Sequence, residues 1–131
     1  MAVVVDTNVV SLIFKQDSRS LRYKPHLDNQ FMILSFMTLA ELRRWALASN
    51  WGQKKNADFN IHLRRYSIQH STPDLCRIWA EIKDNGRRTG KNIDTADAWI
   101  AATALYFNIS LVTHNRTDFQ SINGLLVISE Q

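Results

Sequence analysis

Four short apolar stretches and a weaker fifth are spaced along this 131-residue chain, and they constrain its fold more than any other feature. The stretches are continuously apolar, whereas a half-exposed strand alternates polar and apolar residues, so they predict strands that are covered on both faces. The predicted strands are Ala2–Asp6, Phe31–Ser35, Ser67–His70, Ser110–Thr113 and Leu125–Ser129.

The segments between these strands have helical periodicity. After Pro73, a favourable residue for a first helical turn, Leu75, Ile78 and Ile82 recur at helical spacing. The predicted helices are a segment around Leu39–Ala46, the more polar Gln53–Ile68, a segment from Pro73 to Gly86 and Gly90, and the alanine-rich Ala96–Phe107. Strands that alternate with helices predict an α/β fold with a parallel sheet of four or five strands flanked by helices, in one domain over 1–131.

Composition limits the setting in which this chain works. Hydrophobic residues make up 45% and charged residues 21%, an ordinary balance for a globular domain. No apolar run approaches the roughly 18 residues that a membrane span requires, and no signal peptide is apparent. The single cysteine, Cys76, has no partner within the chain for a disulfide. We therefore expect a cytoplasmic protein without a membrane segment.

Four acidic residues lie close to the predicted strand ends. Asp6 closes the first strand, Glu41 follows the second strand, and Asp118 follows the fourth. Asp97 begins the helix that leads into the fourth strand. Because ligands of open α/β sheets bind beyond the carboxyl ends of the strands, we expect these acids to converge there.

Each helix acid also has a purely structural explanation. Thr38 and Glu41 match a capping box, and Asp94 is placed to cap the helix in whose first turn Asp97 lies. Asn115 and Asp118 repeat that arrangement. Asp6 fits capping least well, because aspartate is depleted in strands and Thr7 or Asn8 is available as a cap.

The four acids together favour a metal site. Several unpaired carboxylates brought together repel one another and raise one another's pKa, and a hard divalent cation relieves that repulsion. Mg²⁺ and Mn²⁺ prefer oxygen ligands. No histidine and cysteine cluster indicates zinc, because only His114 lies near the acids.

The same residues resemble a known family. The segments DTN, AELRRW, DAWIAATAL, THNRTDF and GLLVI, in that order, resemble the PIN-domain ribonucleases, and among them the VapC toxins of toxin–antitoxin pairs. The resemblance implies an α/β/α domain that hydrolyses RNA with Mg²⁺ or Mn²⁺. It assigns the metal and the catalysis to four residues, Asp6, Glu41, Asp97 and Asp118, and it places Asn8, Thr113 and Asn115 around them.

The resemblance also implies partners. A VapC-like toxin pairs with a VapB-like antitoxin, as a homodimer or within a toxin–antitoxin hetero-oligomer. We expect the antitoxin to bind an apolar groove around Val10, Ile13, Phe14 and Leu42. The alternative is a PIN domain that serves only as an RNA- or protein-binding module. Such a module would normally have lost some of the four acids, and all four are present here.

The charge of the chain suits RNA. The net charge is +4, and four of the twelve acidic residues are those of the predicted site, which leaves eight acidic against sixteen basic residues elsewhere. We expect phosphate contacts from Arg87, Arg88 and Lys91. Three aromatic residues are candidates for stacking on bases, namely Tyr23, Trp51 and Tyr106. Core or interface packing is the favoured use for Tyr106, as it is for Trp45, Trp79 and Trp99.

Two other α/β classes with acidic sites fit less well. A receiver domain requires an acidic pair at the first strand, an aspartate after the third and a lysine after the fifth. A haloacid-dehalogenase-like phosphatase requires a D-x-D motif where this chain has Asp6, Thr7 and Asn8.

Overall fold

The five predicted strands form one parallel sheet. A computed structural model describes residues 1–131, and its strand order is β3-β2-β1-β4-β5. The strands are β1 (Ala2–Val5), β2 (Phe31–Ser35), β3 (Ser67–Gln69), β4 (Leu111–Val112) and β5 (Val127–Ile128). The predicted α/β fold with a parallel sheet is confirmed, and the sheet has five strands.

Six α-helices connect and cover the strands. They are α1 (Thr7–Phe14), α2 (Lys24–Leu27), α3 (Phe36–Ser49), α4 (Gln53–Leu63), α5 (Pro73–Thr89) and α6 (Thr95–Phe107), and two 3-10 turns lie at Ser18–Arg22 and Arg116–Asp118. The predicted helix Gln53–Ile68 was too long, because the chain turns after Leu63 and enters β3 at Ser67. None of the helices is long and apolar enough to cross a membrane.

Each face of the sheet is covered by its own hydrophobic core, which gives the three layers of an α/β/α domain. Alternate residues of β1 point to opposite faces: Val3 and Val5 join one core, and Val4 joins the other. The first core is closed by α1 to α4, and the second by α5 and α6. The alanines of α6, among them Ala101 and Ala104, are fully buried and allow that helix to lie close against the sheet.

The strand order reverses between β1 and β4. The chain runs from β1 outward through β2 and β3, and then returns to β4 on the other side of β1. The register pairs Val5 with Val112, so the residues after them, Asp6 and Thr113, emerge side by side. This reversal is the place where open α/β sheets bind their ligands.

The structure changes the prediction for two of the three base-stacking candidates. Tyr23 is fully buried and is not a base-stacking surface, and Trp51 packs in a cluster with Phe14, Trp45 and Phe59. Tyr106 is partly exposed on α6, where its ring contacts Phe107. Trp79 and Trp99 stack on one another, as expected of packing residues.

Candidate active site

Asp6 lies at the centre of the carboxyl edge of the sheet and is 5% exposed. Strand β1 ends at Val5, and Asp6 is the N-cap of α1, so the expectation that Thr7 or Asn8 would cap this helix was wrong. Its Oδ1 accepts a hydrogen bond from the Thr7 N–H at 2.7 Å, and its Oδ2 accepts one from the Thr113 hydroxyl at 2.7 Å. Both carboxylate oxygens are therefore held in place by neighbouring elements.

Glu41 is tied to α1 and does not cap its own helix. The predicted capping box was wrong, because α3 begins at Phe36 with Ser35 as its N-cap, and this start places Glu41 in the second turn. Glu41 Oε1 instead accepts a hydrogen bond from the Thr7 hydroxyl at 2.6 Å. That hydroxyl lies 3.2 Å from the buried Thr38 hydroxyl. Thr7, which no sequence motif indicated as a site residue, links Glu41 to the helix that Asp6 caps.

Asp97 and Asp94 have different roles at the start of α6. Asp94 is the N-cap, and its carboxylate accepts a hydrogen bond from the Ala96 N–H at 3.2 Å, as predicted. Asp97 lies in the first turn and is half-buried. Helix α6 packs against both β1 and β2, and Asp97 lies close enough to Asp6 for the Asp6 charge to contribute to its raised pKa.

Asp118 is positioned by the turn that follows β4. It ends the 3-10 turn Arg116–Asp118, and its carboxylate accepts a hydrogen bond from the Asn115 side chain. The Asn115 N–H in turn donates to the Thr113 hydroxyl at 3.0 Å. Asn8 joins the same turn from α1, because its Oδ1 accepts a hydrogen bond from the His114 N–H at 3.1 Å.

The four carboxylates interact electrostatically. Burial raises the pKa of Asp6 to about 6, with further contributions from the charges of Glu41 and Asp118, while the bonds from Thr113 and Thr7 oppose the rise. Burial also raises the pKa of Asp97 to about 7, and the charges of Asp6, Asp118, Asp94 and Glu41 add to the rise. The structure thus holds an excess of negative charge at one edge of the sheet.

No basic side chain neutralises this charge. None of the ion pairs of the structure includes Asp6, Glu41, Asp97 or Asp118. As the side chains stand, no three histidine, cysteine, aspartate or glutamate residues lie close enough together to hold one metal ion. The donor chemistry nevertheless fits a hard divalent cation, because all four groups offer carboxylate oxygens and all four lack a positive partner.

An open groove of about 820 Å³ runs beside Asp97 and Asp118. Its other lining residues are polar except for Ile93, and they include Lys91. Arg87 and Arg88, which were grouped with Lys91 from the sequence, do not line this groove. Both arginines pair with Asp84 on α5.

The comparison with protein families settles the class of this fold. The model of the PIN domain matches residues 3–125, nearly the whole chain, including all four acids. The chain belongs to the PIN-domain family. The resemblance drawn from DTN, AELRRW, DAWIAATAL and THNRTDF is thereby confirmed.

Relatives of this PIN domain match over most of their length. Ribonuclease VapC1 of Haemophilus influenzae (strain R2866) is 28% identical over 127 residues, which cover 95% of each chain. The structure of VapBC-1 from nontypeable Haemophilus influenzae matches with a TM-score of 0.83 and 27% identity, covering 98% of each chain. The structure of VapBC2 from Rickettsia felis bound to promoter DNA has a TM-score of 0.88 and covers all of both chains, and at 23% identity it supports the fold alone.

Proposed function

We propose that this PIN domain is a VapC-type endoribonuclease that hydrolyses RNA with Mg²⁺ or Mn²⁺ and acts as the toxin of a toxin–antitoxin pair in the cytoplasm. The observation that carries the proposal is the set of four carboxylates without a basic partner at the strand-order reversal, where burial and mutual repulsion raise the pKa of two of them. The relatives named as VapC ribonucleases point to the same activity.

The roles of the four acids follow from their surroundings. Asp6 and Asp97 are the principal candidates for metal ligands, because theirs are the two carboxyl groups whose pKa the surroundings raise, so their ionised forms need a cation most. Glu41 and Asp118 would hold the cation directly or orient water. A divalent cation bound there lowers the pKa of a water molecule and offsets the charge that builds on the phosphate.

The groove beside Asp97 and Asp118 suits the approach of an RNA strand. Lys91 is its basic residue and is exposed, so its ammonium group can contact a phosphate next to the site. Arg87 and Arg88 lie four and three residues before Lys91 at the end of α5, and their pairing with Asp84 leaves them a more distant electrostatic role.

The groove between α1 and α4 is the best surface for an antitoxin. It is lined by the apolar Ile13, Phe14 and Ile61 and by the basic Lys54 and Arg65 among others, so it fits an acidic amphipathic segment. Ile61 is 57% exposed, so its side chain is accessible to a partner.

Two residues of the predicted antitoxin groove were assigned wrongly. Val10 and Leu42 are completely buried in the first core and are unavailable to a partner. Ile13 and Phe14, at the end of α1, do line the groove.

Sequencing of RNA 5′ ends after induced expression tests the proposed activity. The intact chain should arrest growth and create new 5′ ends, and Asp97→Asn should do neither at equal protein level. RNA binding without any new 5′ end would instead support a PIN domain that serves only as a binding module.

The antitoxin surface has its own test. A small acidic protein encoded beside this chain should co-purify with it and suppress the cleavage. Ile61→Asp should weaken that complex while leaving RNA cleavage intact, and an equally stable complex would refute the α1–α4 surface.

A further inference from the structure

Tyr23 is the largest fully buried side chain whose hydroxyl reaches the edge of the acidic site. It lies where the 3-10 turn Ser18–Arg22 meets α2, about 90 residues away in sequence from β4. Its ring packs in the first core and contacts the ring of His114 edge to face. A buried tyrosine hydroxyl needs hydrogen-bond partners, and this one has three.

All three partners of the Tyr23 hydroxyl lie at the ends of β4 and β5. They are the Thr113 carbonyl at 3.3 Å, Nδ1 of His114, and the Glu130 N–H at 3.1 Å. With Nδ1 of His114 protonated, the phenol oxygen accepts from His114 and Glu130 and donates to the Thr113 carbonyl, so every group is satisfied. The phenol therefore clamps the backbone of Thr113 and the ring of His114.

The clamped turn carries the contacts of two acids. The Thr113 hydroxyl donates to Asp6, and the Asn115 side chain donates to Asp118. A shift of this turn therefore moves the supports of both carboxylates together. Asn8 on α1 also holds this turn, through the His114 N–H, but the Thr113 carbonyl is bonded by Tyr23.

We infer that Tyr23 is a positioning residue for the acidic site, acting through Thr113 and Asn115 on Asp6 and Asp118. The inference rests on the proposed metal-dependent function. Loss of a hydrogen bond that orients a metal ligand commonly costs about 10- to 100-fold in metal affinity or activity. Tyr23 bonds neither acid directly, but it holds the turn that carries both of these hydrogen bonds. We therefore expect an effect near the lower end of that range.

The chain contains a matched control for this hydroxyl. Tyr66 is also buried, at 7% exposed, and its hydroxyl also bonds a histidine, Nε2 of His62, at 3.0 Å. Tyr66 belongs to the same core, and its bond to His62 reaches none of the four acids. Loss of either hydroxyl removes similar chemistry from the core, and only Tyr23 is connected to the site.

The test compares Mn²⁺ binding and RNA cleavage in Tyr23→Phe, Tyr66→Phe and the unchanged protein. Calorimetry should give a Mn²⁺ dissociation constant about tenfold higher for Tyr23→Phe, and an unchanged one for Tyr66→Phe. Cleavage by Tyr23→Phe should need more Mn²⁺ for half-maximal rate and should recover at saturating Mn²⁺. His114→Ala removes one of the groups that Tyr23 bonds, and it should also weaken Mn²⁺ binding. This variant replaces Tyr23→Phe in the test if Tyr23→Phe does not fold.

The outcomes separate the inference from the proposed function. Equal Mn²⁺ affinity in Tyr23→Phe and the unchanged protein, whatever the change in melting temperature, makes Tyr23 a structural residue only and overturns the inference alone. A similar loss of affinity in Tyr66→Phe also overturns it, because the effect would then be one of general stability. If the unchanged protein binds no Mn²⁺, both the inference and the proposed metal-dependent function are wrong.

Discussion

Replacing Asp6 with asparagine should stabilise the metal-free protein while abolishing its activity. Asp6 is nearly buried, and its pKa is raised from 3.8 to about 6. Asparagine has almost the same shape, can accept from the Thr7 N–H through its carbonyl, and can donate to the Thr113 hydroxyl through its amide. The variant keeps the N-cap of α1 and removes a buried charge.

The size of the effect follows from the pKa of Asp6. Between pH 4 and pH 6 the unfolded chain gives up this proton before the folded protein does, so the folded state loses stability as the pH rises. A rise of about two pKa units corresponds to about 3 kcal/mol of lost stability above pH 6. The advantage of Asp6→Asn should therefore be small near pH 4, grow through pH 6 and level off by pH 8 at no more than about 3 kcal/mol.

Urea denaturation at pH 4, 6 and 8 measures this difference directly. Asp17→Asn is the matched control, because Asp17 also caps a helical turn but its pKa is lowered by its hydrogen bonds with Arg19. Removal of the Asp17 charge should cost stability above pH 4, so the two variants should deviate from the unchanged protein in opposite directions. Addition of Mn²⁺ at pH 8 should then make the unchanged protein more stable than Asp6→Asn, since the cation stabilises only the protein that retains the Asp6 carboxylate.

Two results would refute this reasoning. A stability difference between Asp6→Asn and the unchanged protein that does not vary with pH would mean that the buried carboxylate carries no electrostatic cost. A variant that is less stable at pH 8 would mean that the charged form makes a contact that the amide cannot replace.

Three further predictions concern the surroundings of the site and the core. Thr113→Val should lower the cleavage rate at neutral pH by about tenfold and move the pH profile upward, because its hydroxyl lowers the pKa of Asp6. Gly86→Ala should destabilise the fold by about 1–3 kcal/mol in urea denaturation, because the added Cβ would lie 2.7 Å from the Lys91 carbonyl. Burial lowers the pKa of His62 to about 4. Because the unfolded chain then binds this proton more readily than the folded protein does, the fold should become less stable in urea as the pH falls from about 6.5 toward 4, and His62→Gln should flatten that dependence.

The predictions for Thr113 and Gly86 each have a control elsewhere in the chain. Thr103→Val removes a buried hydroxyl that bonds only the Trp99 carbonyl of its own helix, so the pH profile of cleavage should not move. Asn85→Ala changes a partly exposed neighbour of Gly86 whose side chain makes no hydrogen bond, and it should leave stability within about 0.5 kcal/mol. Equal effects in either matched pair would contradict the contacts described above.

Local sequence signals predicted the sheet and its main connections. The bounds of β2, Phe31–Ser35, agree with the structure because that strand is apolar and ends at a serine able to cap the next helix. The cap at Asp94 also agrees, since aspartate at that spacing before an alanine-rich helix has a specific local partner in the Ala96 N–H. These features depend on residues close together in the chain.

The errors arose where distant residues decide the outcome. Ser35 and Thr38 are both good caps, and the helix starts at Ser35 because the buried Thr38 and Glu41 meet the Thr7 hydroxyl across the fold. The sequence offers Tyr23 as a base-stacking residue, whereas the structure buries it against partners about 90 residues away, at Thr113 and beyond. The sequence indicates the acids that follow the strands and, through the family resemblance, Thr113 beside them, but not the Thr7 hydroxyl that holds Glu41.

The chemistry of the RNA ends tests the central claim most directly. Purified protein and Asp97→Asn should be incubated with RNA in Mg²⁺, in Mn²⁺ and in excess EDTA, and the product ends determined. Hydrolysis by an activated water predicts 5′-phosphate and 3′-hydroxyl ends that require the cation and are absent with Asp97→Asn. Cleavage that persists in EDTA, or products with 2′,3′-cyclic phosphate ends, would contradict a metal-dependent site built from Asp6, Glu41, Asp97 and Asp118.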